Sequence, residues 1–337
     1  MAGAGDTVSV RFKLYALTVM TINAAGYILL LRYTRTVDGP MYFSTTTVVM
    51  TEVFKLLSSI CMLFSMHRSL SATVTDIYRN VFCNPMDSFK MCIPSIIYMV
   101  QNNLAFVALS NLDAGTYQVT YQLKIISTAL FSVILLRKQI SVIQWISLVT
   151  LFAGVACVQL QPDSFTKKVE HVNYTVGLIS ILSACLCSGF AGVYFEKVLK
   201  GSDTSLWIRN IQMYLFGIVS GLIGVYTKDF FGVIEKGFFY GYTPYVWAIV
   251  VAGSVGGLYT SVVVKYTDNI IKGFSTTISI ILSTLMSVYL FGKEITVLFS
   301  LGAGLVILAI FLYGMPARKP PPSASDSKAS GKLAQTV

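Results

Sequence analysis

Ten apolar stretches, each about as long as a bilayer is thick, dominate this chain of 337 residues. They run over roughly 12–31, 42–66, 89–110, 115–136, 141–160, 175–198, 207–227, 244–265, 269–291 and 295–314. About 20 apolar residues cross the ~30 Å hydrocarbon core as one helix. The predicted fold class is therefore an all-α polytopic membrane protein with ten transmembrane helices. Composition agrees: 55% of the residues are hydrophobic and 12% charged, where a soluble domain carries about 25% charged residues. Those values exclude a disordered chain, a collagen-like fibre and a typical soluble enzyme. Arg11 and Lys13 precede the first stretch as in a signal peptide. That stretch runs on to Leu31, well past the about 7–15 residues of a signal core, so it is expected to stay attached as the first span.

The basic residues report orientation. Lys and Arg number 25 against 15 Asp and Glu, a formal +10. They fall between and beside the apolar runs, which points to the positive-inside rule and away from nucleic acid. Ten spans put both termini on one side. The side holding Arg11, Lys13, Arg68, Arg79, Arg137 and Lys138 collects about twice the basic residues of the side holding Arg32, Arg35, Lys167, Lys228 and Lys293. Both termini are expected in the cytosol. Residues 316–337, rich in Pro, Ser, Ala and Lys, read as a disordered cytosolic tail. Asn173-Tyr174-Thr175 is a glycosylation sequon on the far side, but it abuts a helix start and use is not expected. The six cysteines form no CxxC pair, and only His67 and His171 could join them, so neither a disulfide framework nor a metal site is expected.

The two halves echo each other. Lys138-Gln139-Ile140-Ser141-Val142 is followed 155 residues later by Lys293-Glu294-Ile295-Thr296-Val297, each time where one span closes and the next opens. Five spans per half is an odd number, so the second copy must enter the membrane inverted. Inverted repeats are a hallmark of alternating-access carriers, with the substrate site near the midplane between the halves. The expected division is a first five-helix repeat over 1–160, a second over 161–315, and the tail.

A charge at the bilayer centre costs about 2.5–3.5 kcal/mol on insertion scales and so needs a reason. Lys124 is the clearest case, about nine residues into the fourth span and ~14 Å deep. Tyr117, Tyr121, Lys124 and Thr128 share its face of the helix, with Gln118 and Gln122 alongside. A structural ion pair is the competing explanation, and Glu52 is the only acid deep in the first-half spans, with Lys55 three residues on. Tyr98, Gln101 and Asn102 fit one face of the third span, where buried amides need partners. The second half offers Arg209, Asn210 and Tyr214, a stripe of Ser254, Gly257, Ser261 and Lys265, and Lys272 near the cytosolic end, where a snorkelling anchor is the alternative. Lysine binds phosphate as a point charge. Tyrosine can stack on a base, and amides can read its edge. No GxxxxGK[ST] or GxGxxG motif occurs. No acid–base pair or Ser/His/Asp set is buried among these polar residues. The chain reads as a carrier of a phosphate-containing solute, not an enzyme, and no cofactor is expected.

These residues fall in longer blocks: YMVQNNLAFVALSNLDAGTYQVTYQLKI at 98–125, SGFAGVYFEKVLK at 188–200, RNIQ at 209–212, GFFYGY at 237–242 and DNIIKGF at 268–274. In them the chain resembles the Golgi nucleotide-sugar transporters, a branch of the drug/metabolite transporter superfamily. The likeness covers about residues 10–315. It implies ten helices in two inverted repeats and a Golgi location. It also implies a nucleotide-sugar cavity lined by Tyr98, Gln101, Asn102, Tyr117, Lys124, Ser188, Asn210, Tyr214, Ser261 and Lys272; Tyr121 joins that set from the stripe around Lys124. SDTSLW at 202–207 and GGLYTS at 256–261 resemble the branch carrying CMP-sialic acid. The expected activity is exchange of CMP-sialic acid for CMP. The stretch TTISIILST at 276–284 reads like branches carrying UDP-galactose or UDP-N-acetylglucosamine, which leaves UDP-sugar/UMP exchange as the alternative. Besides substrate and the lipid bilayer, candidate partners are a second copy in a homodimer and coat proteins reading the terminal Val337.

Overall fold

The computed structural model describes residues 9–36, 39–160, 173–291 and 295–315, and the described residues fold as helices. The helices are α1 (Val10–Thr36), α2 (Ser44–His67), α3 (Leu70–Ile77), α4 (Pro85–Asn111), α5 (Ala114–Tyr121), α6 (Lys124–Leu136), α7 (Val142–Gln159), α8 (Tyr174–Lys200), α9 (Leu206–Lys228), α10 (Phe230–Lys236), α11 (Pro244–Tyr266), α12 (Asn269–Phe291) and α13 (Val297–Gly314). Ten spans are long and apolar enough to cross a membrane, with α5 and α6 together forming the fourth. The chain is a multi-pass membrane protein. The connection after α2 holds α3 and a π-helical turn at Tyr78–Phe82, and the one after α9 holds α10. The tail at 316–337, and Lys293 and Glu294 of the second motif copy, lie outside the described residues.

Local chemistry sets the helix ends. Asp113, Ser141, Asn173, Ser205 and Thr296 each accept a backbone N–H of the helix that follows. Such caps satisfy amides that the first turn leaves without partners. Ser141 and Thr296, equivalent positions in the two motif copies, cap α7 and α13. Pro85 and Pro244 open α4 and α11, where a missing N–H costs nothing. Arg68 and Arg137 end α2 and α6 in the left-handed region at φ 52°.

The most extensive helix contacts are unchanged when the two sets of five spans are exchanged. The span α4 packs on α8, and its counterpart α11 packs on α1; α6 packs on α8, and α12 on α1; α9 packs on α4, and α2 on α11. The pairs α2–α9 and α7–α13 map onto themselves. At the second pair, a Cβ on Gly154 would lie 2.9 Å from the Gly302 carbonyl, and one on Gly302 2.6 Å from the Gly154 carbonyl. The backbones meet there because both residues lack side chains. Ser147 donates to the Ala309 carbonyl at 2.7 Å beside this contact.

Buried charges gather at the end of the bundle that charge asymmetry assigns to the cytosol. Arg209 is fully buried; it bonds Asp87 at 2.7 Å, Gln212 at 2.9 Å and Ser202 at 2.9 Å, joining α9 to α4. Glu196 on α8 accepts from Lys200 at 2.7 Å and from the Asn269 backbone at 2.9 Å. Lys138 donates to Asp268, and Lys200 to the Thr267 carbonyl, which ties the turn before α12 to α6 and α8. Burial works to lower the Lys138 ammonium, but the Asp268 carboxylate outweighs it and holds the group above its ordinary value.

Candidate functional site

The fourth span is not one helix. Gln122 and Leu123 form a tight turn between α5 and α6, with Gln122 N–H bonded to Val119 and Leu123 N–H to Thr120. Neither proline nor glycine causes the break. The Cys185 thiol on α8 lies beside the break, 3.5 Å from the Thr120 carbonyl and 3.4 Å from that of Tyr121. Tightened turns inside a helix often mark hinges and sites. The break sets Lys124 at the first turn of α6, with Lys272 at the first turn of α12. Helix N-termini carry partial positive charge, so both lysines add to fields already suited to an anion.

Between the halves lies a cavity of about 310 Å³ lined by Tyr98 from α4, Lys124 and Thr128 from α6, Ser188 and Gly192 from α8, Thr260 from α11, and Asn269, Lys272 and Thr276 from α12. A second lobe of about 190 Å³ shares Tyr98, Gly192, Thr260, Asn269 and Lys272, and adds Lys55, Tyr214, Gly257 and Ser261. Lys124 and Lys272 have no carboxylate in salt-bridge range among the described residues. Glu52, the possible partner of Lys124, bonds Lys55 at 2.5 Å instead. The Lys124 ammonium lies 4.3 Å from the centre of the Tyr121 ring. A cation over an aromatic face is held without being neutralised. At Gly192 a Cβ would lie 3.1 Å from Asn269 Oδ1 and 3.7 Å from Lys272 Nζ, so this position leaves room for both.

The structure brings Tyr98, Lys124, Ser188, Tyr214, Ser261 and Lys272 to the cavity walls. Lys272 lines both lobes and does not snorkel to the cytosolic surface. Four further residues back the walls. Tyr121 accepts from Gln101 at 2.9 Å and stacks on Tyr117 with ring centres 5.8 Å apart. Asn210, fully buried, donates to Ser261 at 2.9 Å. Asn102 differs from expectation: it is exposed and outside both lobes. Helical spacing put it on the face of Tyr98 and Gln101, but the cavity meets only the Tyr98 edge of that face. Arg209 is a strut between α4 and α9 and does not face the cavity. Lys55, Thr260 and Gly192 are wall residues that the sequence reading passed over. Lys55 had a signal, a charge inside the second span, but its neighbour Glu52 explained it away. Four buried polar atoms around the lobes have no hydrogen-bond partner among the described residues: Gln101 Oε1, Asn210 Oδ1, Tyr214 Oη and Asn269 Oδ1. Orphaned buried groups are costly and call for an explanation such as a ligand.

Two lysines with no carboxylate in salt-bridge range among the described residues, facing a polar cavity at the interface of two helix sets, can bind an anion. Among the described residues no cluster of His, Cys, Asp and Glu could hold a metal ion.

Known proteins agree with a carrier. The UDP-galactose translocator of Bos taurus is 48% identical over 316 residues, covering 93% of this chain and 80% of its own length. The human protein of the same name is 48% identical over 333 residues, covering 98% and 84%. The UDP-N-acetylglucosamine transporter of Bos taurus is 47% identical over 328 residues, covering 95% and 100%. These relatives are named for UDP-sugars, not for the CMP-sialic acid first expected. A solved crystal structure superposes with a TM-score of 0.64 at 14% identity over 92% of this chain and 99% of that one, a likeness that carries the fold alone. The family described as "Nucleotide-sugar transporter" matches residues 8–314. With nearly every described residue inside that match, the chain belongs to the nucleotide-sugar transporters.

Proposed function

We propose that this chain exchanges a pyrimidine nucleotide sugar in the cytosol for the matching nucleoside monophosphate in the Golgi lumen. The two five-helix repeats would alternate access to the one cavity, with both termini in the cytosol. The observation that carries this reading is the pair Lys124 and Lys272, facing one cavity without a carboxylate partner among the described residues. Phosphate would sit between them, with the base against Tyr98 and the Tyr117–Tyr121 stack. An empty carrier would keep unpaired charge inside the membrane, which slows its return without cargo and favours exchange.

A UDP-sugar, UDP-galactose or UDP-N-acetylglucosamine, against UMP is the reading favoured by whole-chain likeness to relatives of those names. CMP-sialic acid against CMP is the second reading, favoured by the blocks at 202–207 and 256–261. Vesicles holding the purified chain, preloaded with UMP or CMP, separate them when offered labelled UDP-galactose, UDP-N-acetylglucosamine and CMP-sialic acid. The first reading expects UDP-sugar uptake accelerated by internal UMP. Uptake of CMP-sialic acid accelerated by CMP would move the protein to the second. Uptake that no internal nucleotide accelerates would overturn exchange itself.

A further inference from the structure

The two lobes of the cavity treat their lysines differently. In the larger lobe Lys124 and Lys272 stand without counter-ions. In the smaller lobe Lys55 is held by Glu52 one helical turn away, Nζ to Oε1 at 2.5 Å, and its ammonium lies 4.5 Å from the centre of the Tyr214 ring. The pair is fitted into place from the other half of the molecule. A Cβ on Gly217 of α9 would lie 2.7 Å from Glu52 Oε2, and one on Gly257 of α11 would lie 2.5 Å from Lys55 Cδ. Both glycines open the slot that the pair fills. Only 18% of the Glu52 side chain and 12% of the Lys55 side chain are accessible. The other nearby acid, Glu196, is taken up by Lys200 and the Asn269 amides and lines neither lobe. Beside the pair, Tyr214 Oη is buried without a partner and lines the smaller lobe.

We propose that Glu52 is a specificity-determining residue: it cancels Lys55, so the empty cavity carries two uncompensated positive charges rather than three and selects dianions. The inference rests on the exchange reading above and deepens it. A fully ionised nucleoside monophosphate carries about two negative charges near neutral pH, and a nucleoside diphosphate about three. A UDP-sugar carries one charge on each phosphate, and CMP-sialic acid one on its phosphate and one on its carboxylate. Both partners of either exchange therefore match a cavity with two free charges. A nucleoside diphosphate, the direct leaving group when a UDP-sugar donates its sugar, is over-charged for it. Without Glu52, Lys55 would be free to meet that third charge.

The test measures how UMP and UDP, and in parallel CMP and CDP, compete with labelled nucleotide exchange in vesicles. Wild type is compared with Glu52→Gln, Lys55→Met and the double variant. Glu52→Gln should shift the diphosphate-to-monophosphate preference toward the diphosphate by about tenfold, the scale of one added charge acting across about 12 Å at an effective dielectric of about 20. Lys55→Met leaves Glu52 uncancelled and should weaken every anionic ligand, diphosphate most. The double variant restores two free charges and should return the wild-type ratio. An unchanged ratio in an active Glu52→Gln protein would overturn the proposal. If Glu52→Gln does not fold, Lys55→Met against the double variant decides, and a double variant no nearer wild type than Lys55→Met is the contrary result. Wild-type vesicles that exchange no nucleotide would count against the exchange reading, not against this charge assignment.

Discussion

Arg209 and Lys124 are both cations inside a membrane bundle, and they are kept there on different terms. Arg209 has every side of its guanidinium occupied: Asp87 across the helix interface, Gln212 on its own helix and Ser202 before it. Lys124 has an aromatic ring beneath it and a cavity in front. A buried charge with full partners belongs to the architecture. One left without a counter-ion is expensive unless something outside the protein supplies it. The end of the bundle before α12 follows the first pattern through Lys138–Asp268 and Lys200–Glu196, and the cavity follows the second through Lys124 and Lys272. Lys55 is intermediate, a cavity lysine with its own carboxylate.

The contrast predicts which substitutions fail in folding and which in transport. Arg209→Ala has the largest expected effect. It strips a fully buried cation from Asp87 and Gln212 and should cost about 3–5 kcal/mol, read as loss of a monodisperse, thermally stable protein. A stable variant would break the distinction. Lys272→Ala should lower nucleotide exchange in vesicles by at least about 30-fold while the melting temperature of the empty protein holds or rises, because it removes a charge that nothing in the empty protein partners. Equal losses in stability and transport would place Lys272 with Arg209. Asp113→Ala should cost about 0.5–2 kcal/mol through the lost cap on α5, with exchange kept. Burial pulls the Asp113 carboxyl upward, but hydrogen bonds led by the Thr116 backbone N–H outweigh it and hold it below the ordinary carboxylate value. The cap's stabilisation is thus complete above the unfolded value near 3.9 and lost as pH falls through the lower folded one. The Asp113→Ala deficit in melting temperature should therefore persist at neutral pH and close only in strong acid. Lys138→Met should have the smallest effect on stability, about 0–1 kcal/mol, since the pair with Asp268 is partly accessible. It should show in transport as altered labelling of cysteines placed at the cytosolic end of α6, if that pair helps hold this end shut. Unchanged labelling would reduce it to a surface contact.

The spans were legible because lipid imposes one requirement on every residue they contain, and hydropathy reads that requirement directly. Lys124 and Tyr98 were legible for the opposite reason, as residues that violate it. The break before Lys124 was not. Neither proline nor glycine marks it, and the thiol that meets it, on α8, lies 64 residues away in sequence. Asn102 was misplaced because helical spacing defines a face, whereas a cavity touches only part of one. Lys55 was passed over because a nearby acid accounted for it locally, and only the packing of α9 and α11 shows it at a cavity wall. The carried sugar is the least legible feature. It depends on contacts around hydroxyl groups, which small polar residues such as Thr260 and Ser261 can make without leaving a pattern in the chain.

The most direct test of the central claim is nucleoside monophosphate binding by calorimetry, comparing the purified chain with its Lys124→Ala/Lys272→Ala variant. The account predicts an affinity loss of at least about 100-fold, with no loss of melting temperature in the absence of nucleotide. An affinity within twofold of wild type in the folded double variant would show that these lysines do not hold the phosphate, and would contradict it.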